Sequence, residues 1–336
     1  MKRWIIFLLC FSLLSCSSSS EKKLFIFTWS QFFNPKLIEE FEKKHNCRVI
    51  LDTFDSNESM YAKLKLGSSH YDIIIPSNYY LDILQNQGMI KSLEKNAIPN
   101  LIHLDPRYFK EPKTLYAVPL IVSFSGVAYR KDRLKNIDPS WGIFAEKSLS
   151  GRMTMLNDIR EALGAALKFL GYSINTRDPV ELKLAGDLLI QWKQNLAKFE
   201  SEQYKNGIAT AEFLVVQGYS IDIMQIRQED ENVDFLFPRE GAILSIDSMV
   251  MPFGAKNVEL ASQFINFMLE PKNAAKNMNY NRSLFPVTPA YPLLDPELKG
   301  NPILFPDREI LDKMELIEDL HEDIKLYYDT WERVKA

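Results

Sequence analysis

From Leu24 onward the apolar positions switch between two periods. LFIFTW (24–29), RVILDTF (48–54) and YDIIIP (71–76) are short apolar runs of strand length. Between and after them NPKLIEEFEKKHN (34–46), DSNESMYAKLKLG (55–67) and NYYLDILQNQG (78–88) read as helices. The first has Pro35 in its opening turn and Leu37 and Phe41 on one face; the second opens on a D-x-x-E capping box, Asp55 with Glu58, and closes at Gly67. Such alternation predicts a parallel sheet covered on both faces, with nearly all-apolar strands. The pattern restarts near residue 125. GVAYR (126–130), MTMLN (153–157), FLVVQ (213–217) and VDFLF (233–237) read as strands, with IREALGAALKFLG (159–171), PVELKLAGDLLIQWKQNL (179–196) and GYSIDIMQIRQ (218–228) as helices. ILSIDSMVMPFG (243–254) is a strand leading to NVELASQFINFMLE (257–270), an amphipathic helix with Leu260, Phe264 and Phe267 on one face. The tail from 314 to 334 reads as one helix, and its stripe of Leu320, Ile324, Tyr327 and Trp331 makes Trp331 a core anchor.

The first residues do not belong to this α/β pattern. Lys2 and Arg3 precede an apolar run, Trp4 to Leu14, too short for a bilayer span but fitting an export signal. LLSC at 13–16, followed by four serines, resembles a bacterial lipobox. It predicts a signal peptide over 1–15, a lipidated Cys16 and a serine-rich tether over 16–22, with a plain secretory signal as the alternative. Cys10 leaves with the signal, so Cys47 alone remains in the folded part, where it packs as a small hydrophobe.

At 336 residues, 46% hydrophobic and 25% charged, the chain is long enough for two domains and has the composition of a globular protein. Without residues 1–15 it has 38 basic and 44 acidic residues, formally −6, which argues against nucleic acid and is compatible with a cationic ligand. His45, His70, His103 and His321 have no metal-ligand spacing, and no G-x-G-x-x-G, G-x-x-x-x-G-K-[ST] or G-x-S-x-G occurs, so neither metal nor cofactor is expected. Polar and aromatic residues gather instead at strand ends: TWSQFF (28–33), DTFDSNE (52–58), PSNYY (76–80) and NDIRE (157–161). Ligands of open α/β sheets sit at such ends. Each also has a plain structural reading. Ser77 or Asn78 can cap a helix, and Asp158 with Glu161 has capping-box spacing. Asp247, inside an apolar strand, needs a partner, either an internal arginine or an external cation.

FTWSQFFNPKLIEEFEKK, FDSNESMYAKLKLGSSHYDIIIPSNYYLDILQNQGMI, NDIREALGAALKFLGYS, FPREGAILSIDSM and FGAKNVELASQFINFMLEP together resemble the periplasmic spermidine/putrescine-binding proteins of bacterial polyamine ABC importers. The resemblance implies a two-lobed type II periplasmic binding protein fold, α/β, with a hinge and an interlobe cleft. Residues 23–124 plus 249–290 form one lobe and 125–248 plus 291–336 the other. It implies a monomeric, non-enzymatic periplasmic receptor that delivers spermidine or putrescine to the importer's permease subunits and touches the membrane through its N-terminal lipid only. Ligand contacts carry over to Trp29, Ser30, Gln31, Phe32, Ser77, Tyr79, Asp158, Glu161, Ser201, Asp247 and Phe285. Asp158, Glu161 and Asp247 become ammonium acceptors, and the rings sandwich the methylenes. The chain departs from the family where tryptophans give way to Val216 and Ser245, a first-loop acid to Gln31, a tyrosine to Phe32 and a pocket glutamine to Ile317; Tyr219 offers a replacement ring. The alternatives are a binding protein for thiamine or ferric ion, a carbohydrate-active lipoprotein using paired carboxylates, or an adhesin.

Overall fold

The computed structural model describes residues 21–67, 70–110 and 112–336; the signal peptide, Cys16 and most of the tether lie outside them. The strands are β1 Lys22–Thr28, β2 Cys47–Thr53, β3 Ile73–Ile74, β4 Ile90–Lys91, β5 Ala117–Arg130, β6 Met153–Met155, β7 Leu196–Phe199, β8 Val215–Tyr219, β9 Val233–Leu236, β10 Ile243–Pro252 and β11 Glu315–Leu316. The main helices are α1 Pro35–His45, α2 Asn57–Lys65, α3 Asn78–Asn86, α4 Ile159–Phe169, α5 Pro179–Lys193, α6 Tyr204–Ala209, α7 Ser220–Glu229, α8 Val258–Met268, α9 Pro271–Asn281, α10 Arg308–Leu311 and α11 Ile324–Lys335.

The sheet runs β2-β1-β3-β10-β5-β8-β6-β7. Its two ends are parallel, as the alternation predicts, but the middle is not. β10 runs antiparallel to both β3 and β5, and β5 antiparallel to β8. The pattern restart near 125 falls inside the fourteen-residue β5, a central strand paired with β10 over residues 117–125 and with β8 and β9 over residues 125–130. The register of β5 against β10 shifts between Asp247 and Ser248, opposite Ile121 and Pro119. A proline cannot donate to a ladder, so this bulge accommodates Pro119 in a central strand.

Three sequence expectations need correction. Ser56 rather than Asp55 caps α2: its hydroxyl accepts from the Ser59 N–H at 3.1 Å, while Asp55 accepts from the Ser59 hydroxyl at 2.9 Å. The tail is not one helix. Residues 315–316 pair as β11 with β10, and only Ile324–Lys335 is α-helical. Nor is the sheet covered on both faces throughout. β2 lies at the sheet edge and leaves Ile50 and Leu51 exposed. Trp331 does pack on the core, edge-on to Phe199 at 5.1 Å, and Cys47 is buried and unpaired.

Asp72, fully buried before the isoleucines of β3, explains how α8 is docked. Its carboxylate accepts from the backbone N–H groups of Phe25, Lys256 and Asn257, at 2.9–3.1 Å, and from the Asn257 side chain at 3.0 Å. On the opposite side, Asn277 and Asn281 of α9 both donate to the Phe32 carbonyl, at 3.0 and 2.9 Å, and Asn277 accepts from the Asn34 N–H. The loop after β1 is thereby fixed. We expect Asp72→Ala, which strands three backbone donors, to cost on the order of 3 kcal/mol or more in denaturant unfolding; a loss below about 1 kcal/mol would show that water replaces the carboxylate.

Candidate functional site

The site is built on the β5/β10 ladder. Asp247 belongs to β10 and is 7% exposed, with no salt-bridge partner among the described residues. The Ser77 hydroxyl donates to its Oδ1 at 2.7 Å. Ser77 stands at the N-cap of α3, yet its side chain makes no capping bond; the hydroxyl is turned to the carboxylate instead. Behind it, Asn57 in the first turn of α2 donates to both Ser77 Oγ and the Tyr79 hydroxyl, each at 3.0 Å, and accepts from the Ser77 N–H at 3.1 Å. The Trp29 indole N–H has no partner of ordinary hydrogen-bond geometry, but lies near enough to Asp247 to favour its charge. Burial outweighs both donors and pushes the Asp247 pKa up to about 7.

The second acidic group stands at the start of α4. Asp158 is its N-cap and accepts from the N–H groups of Arg160 and Glu161, at 2.8 and 3.1 Å. The capping reading is therefore correct for Asp158. It does not extend to Glu161, whose carboxylate accepts from the Ser125 hydroxyl of β5 instead of folding back on the cap. Glu161 is 3% exposed, and burial with the nearby Asp158 charge raises its pKa to about 8. Burial likewise raises Asp158. Gln217 of β8 fixes the turn by donating to the Glu161 carbonyl at 2.9 Å.

Ser125 pairs with Ile243 and Ile121 with Asp247, so the two acidic groups are braced four residues apart along the ladder, about 13 Å of strand. Tyr79 lies between them in character. It bonds to Asn57, packs against Ile174, Ile243 and Ile317, and has its pKa raised by burial and by Asp158. Tyr219 is raised by burial and by Glu161 and Asp158, which puts the suggested replacement ring beside the acids. Arg160 stands between Asp158 and Glu161 in the chain, and its charge favours both carboxylates without an ion pair to either among the described residues. Arg160 is 3% exposed, yet its guanidinium bonds to neutral acceptors: the Glu318 carbonyl at 2.8 Å, Asn175 Oδ1 at 2.6 Å and the Ile174 carbonyl at 3.2 Å.

The other candidates are less directly placed. Trp29 is half-buried, edge-on to Phe54 at 4.5 Å. Ser30 and Gln31 are exposed, Gln31 with a left-handed backbone (φ 60°). Phe32 is 9% exposed and Phe285 fully buried in the largest core cluster. Ser201 accepts from the Asn157 N–H at 3.0 Å and so braces the turn carrying Asp158, without a contact to the carboxylates. Val216 is fully buried, and Ser245 is hydrogen-bonded to Ser123. Sequence reasoning missed Asn57, Ser125 and Gln217. Asn57 was readable as a polar residue in an apolar-faced helix start; Ser125 and Gln217 depend on strand register. It also missed a junction at Asn78, whose side-chain oxygen accepts from the Ile246 N–H at 3.0 Å while its amide donates to the Ile317 carbonyl.

A family profile described as bacterial extracellular solute-binding protein matches residues 36–306. The chain belongs to that family. Among curated relatives, this binding protein is 33% identical over 325 aligned positions to the putrescine/cadaverine-binding protein of Pseudomonas aeruginosa, covering 91% of each. It is 32% identical over 352 positions to the spermidine/putrescine-binding periplasmic protein of Escherichia coli, covering 100% of this chain and 99% of the relative. Among solved structures it superposes on the Tp0655 (TpPotD) lipoprotein of Treponema pallidum with a TM-score of 0.85 at 31% identity, over 93% of this chain and 99% of the other. The fold is thus that of the periplasmic binding proteins, and the relatives are solute-binding transport proteins rather than enzymes.

Asp247 and Glu161 titrate in the folded binding protein above their unfolded values near 4, so the unfolded chain holds fewer protons in that range. The contribution of these two groups to ligand-free stability must then fall as pH rises from about 4 to about 8. Asp247→Asn keeps the Ser77 hydrogen bond and removes one of the two charges. Thermal melts should show this variant stabilised at about pH 8.5 and little changed at about pH 4.5; equal shifts at both would contradict the assignment.

Proposed function

We propose that this protein captures polyamines, spermidine or putrescine among them, between its two halves and delivers them to the permease subunits of an ABC importer. The observation that carries this reading is two acidic groups, the buried Asp247 on the β5/β10 ladder and Asp158 with the buried Glu161 at the start of α4 braced against it, near Trp29, Tyr79 and Tyr219 and with no salt-bridge partner among the described residues. Buried carboxylates without a counter-ion are costly, and a chain with an ammonium at each end supplies the missing charge. Each charge-assisted bond is worth about 1.5–3 kcal/mol, and ring faces add about 0.5–2 kcal/mol per cation. The names of the relatives from P. aeruginosa and E. coli support the same ligand class. Among the described residues no group of three or more His, Cys, Asp and Glu side chains is arranged to hold a metal ion.

In this reading residues 23–124 plus 249–290 and residues 125–248 plus 291–336 move as two lobes about β5 and β10, and the closed form is what the permease recognises. Trp29, Ser30, Gln31, Phe32, Ser77 and Tyr79 line one wall, Asp158, Glu161 and Ser201 the other, with Asp247 and Phe285 at the junction. The protein acts as a monomer in the periplasm, held to a membrane by lipid on Cys16. The word lipoprotein in the name of the T. pallidum relative supports that anchor, and no described helix is long and apolar enough to cross a membrane.

Two experiments test these statements. Titration calorimetry with putrescine, cadaverine, spermidine and spermine should give saturable heat, and Asp247→Asn should weaken binding by more than about tenfold with the fold intact; silence from all four amines would sink the reading. Cys16→Ala should move the exported protein from the membrane pellet to the soluble fraction, and an unchanged distribution would count against the anchor.

A further inference from the structure

Accepting the polyamine reading above, we propose that the pocket is charge-matched to a dication, so that this protein prefers an α,ω-diamine to a triamine. Ionised, Asp158, Glu161 and Asp247 contribute three negative charges. Arg160 contributes one positive charge beside the first two. Its described hydrogen bonds all go to neutral acceptors and its guanidinium lies 4.9 Å from the centre of the Tyr327 ring, so that charge is not cancelled within an ion pair of its own. It offsets one carboxylate of the Asp158–Glu161 pair. The buried pocket is left with two negative charges, one at each end of the ladder segment.

Among the described residues no further buried acid stands ready to meet a third ammonium once Arg160 has offset one of these three. The loop after β1 offers Ser30 and Gln31, both neutral. On the ladder between the two acidic groups, Ser245 and Ser123 satisfy one another at 2.8 Å. The wall against Tyr79 is Ile174, Ile243 and Ile317, which can pack methylenes and accepts no hydrogen bond from its side chains. Asp222, beyond Tyr219, bonds to the Tyr204 hydroxyl and has its charge opposed by Lys205. Glu58 is near enough for its charge to reach Asp158 and Tyr79, but its carboxylate is exposed, so it can meet an ammonium only in contact with water and salt. A diamine therefore enters with both charges met, while spermidine buries an ammonium that finds no counter-charge, which is expensive in a closed site.

Calorimetry or competition at one fixed ionic strength, comparing putrescine, cadaverine, spermidine and spermine, reads the preference directly. We expect a diamine to bind at least about tenfold tighter than spermidine. Arg160→Gln leaves three uncompensated charges and should raise the spermidine-to-putrescine affinity ratio by about tenfold, whereas Arg160→Lys, which keeps the charge, should leave the ratio within about twofold. Should Arg160→Gln fail to fold, Ser245→Asp adds a negative charge on the ladder between the two acidic groups and carries the same expectation. Spermidine binding as tightly as the diamines, or an unmoved ratio in the folded charge variant, would overturn the charge match while leaving the polyamine reading standing. Absence of binding by all four amines would overturn both.

Discussion

The burial of carboxylates without counter-ions sets the terms for the rest of the molecule. A carboxylate can be kept inside a protein only if donors, position and a future partner compensate the loss of water. Here the donors are serine hydroxyls and backbone amides: Ser77 for Asp247, Ser125 for Glu161, and the first turn of α4 for Asp158. These neutral donors hold the acids in place and leave their charge unspent. The β5/β10 pair is the element that makes this possible, because it carries Asp247, braces Glu161 and joins both ends of the sheet.

The division of labour between rigid and adjustable parts follows from that arrangement. Asp247 sits on a strand and Asp158 with Glu161 at a helix start, where register and capping fix them to the sheet. Most aromatic candidates are embedded to differing depths, from Phe285 in the main core to the half-buried Trp29. The neutral polar candidates, Ser30 and Gln31, lie on an exposed loop whose path is held from α9 through the Phe32 carbonyl. Polarity there can change without disturbing the core.

Much of this was legible in the sequence, for identifiable reasons. Local period gave α1, α4, α5 and α8, and the apolar runs gave β1, β2 and β6. The D-x-x-E spacing located the Asp158 cap, and an acid in an apolar strand marked Asp247. What failed were features set by partners distant in the chain. The antiparallel middle of the sheet depends on which strand lies beside β10, which no local period encodes. The tail pattern from 314 reads as helix, yet tertiary pairing with β10 draws residues 315–316 into the sheet. Ser77 looked like a cap because it occupies the cap position. Its hydroxyl is diverted by a carboxylate 170 residues away.

Asn78 gives that long-range character a temporal meaning. One side chain joins the start of α3 to residues 168 and 239 positions further along the chain. Contacts of such separation carry the entropic cost of ordering a long intervening stretch of chain. A chain that emerges from its amino end would present α3 well before its tail, with the pocket's edge still unmade. The Asn78 junction can therefore be completed only when the last segment of the chain has been made and has docked on the sheet.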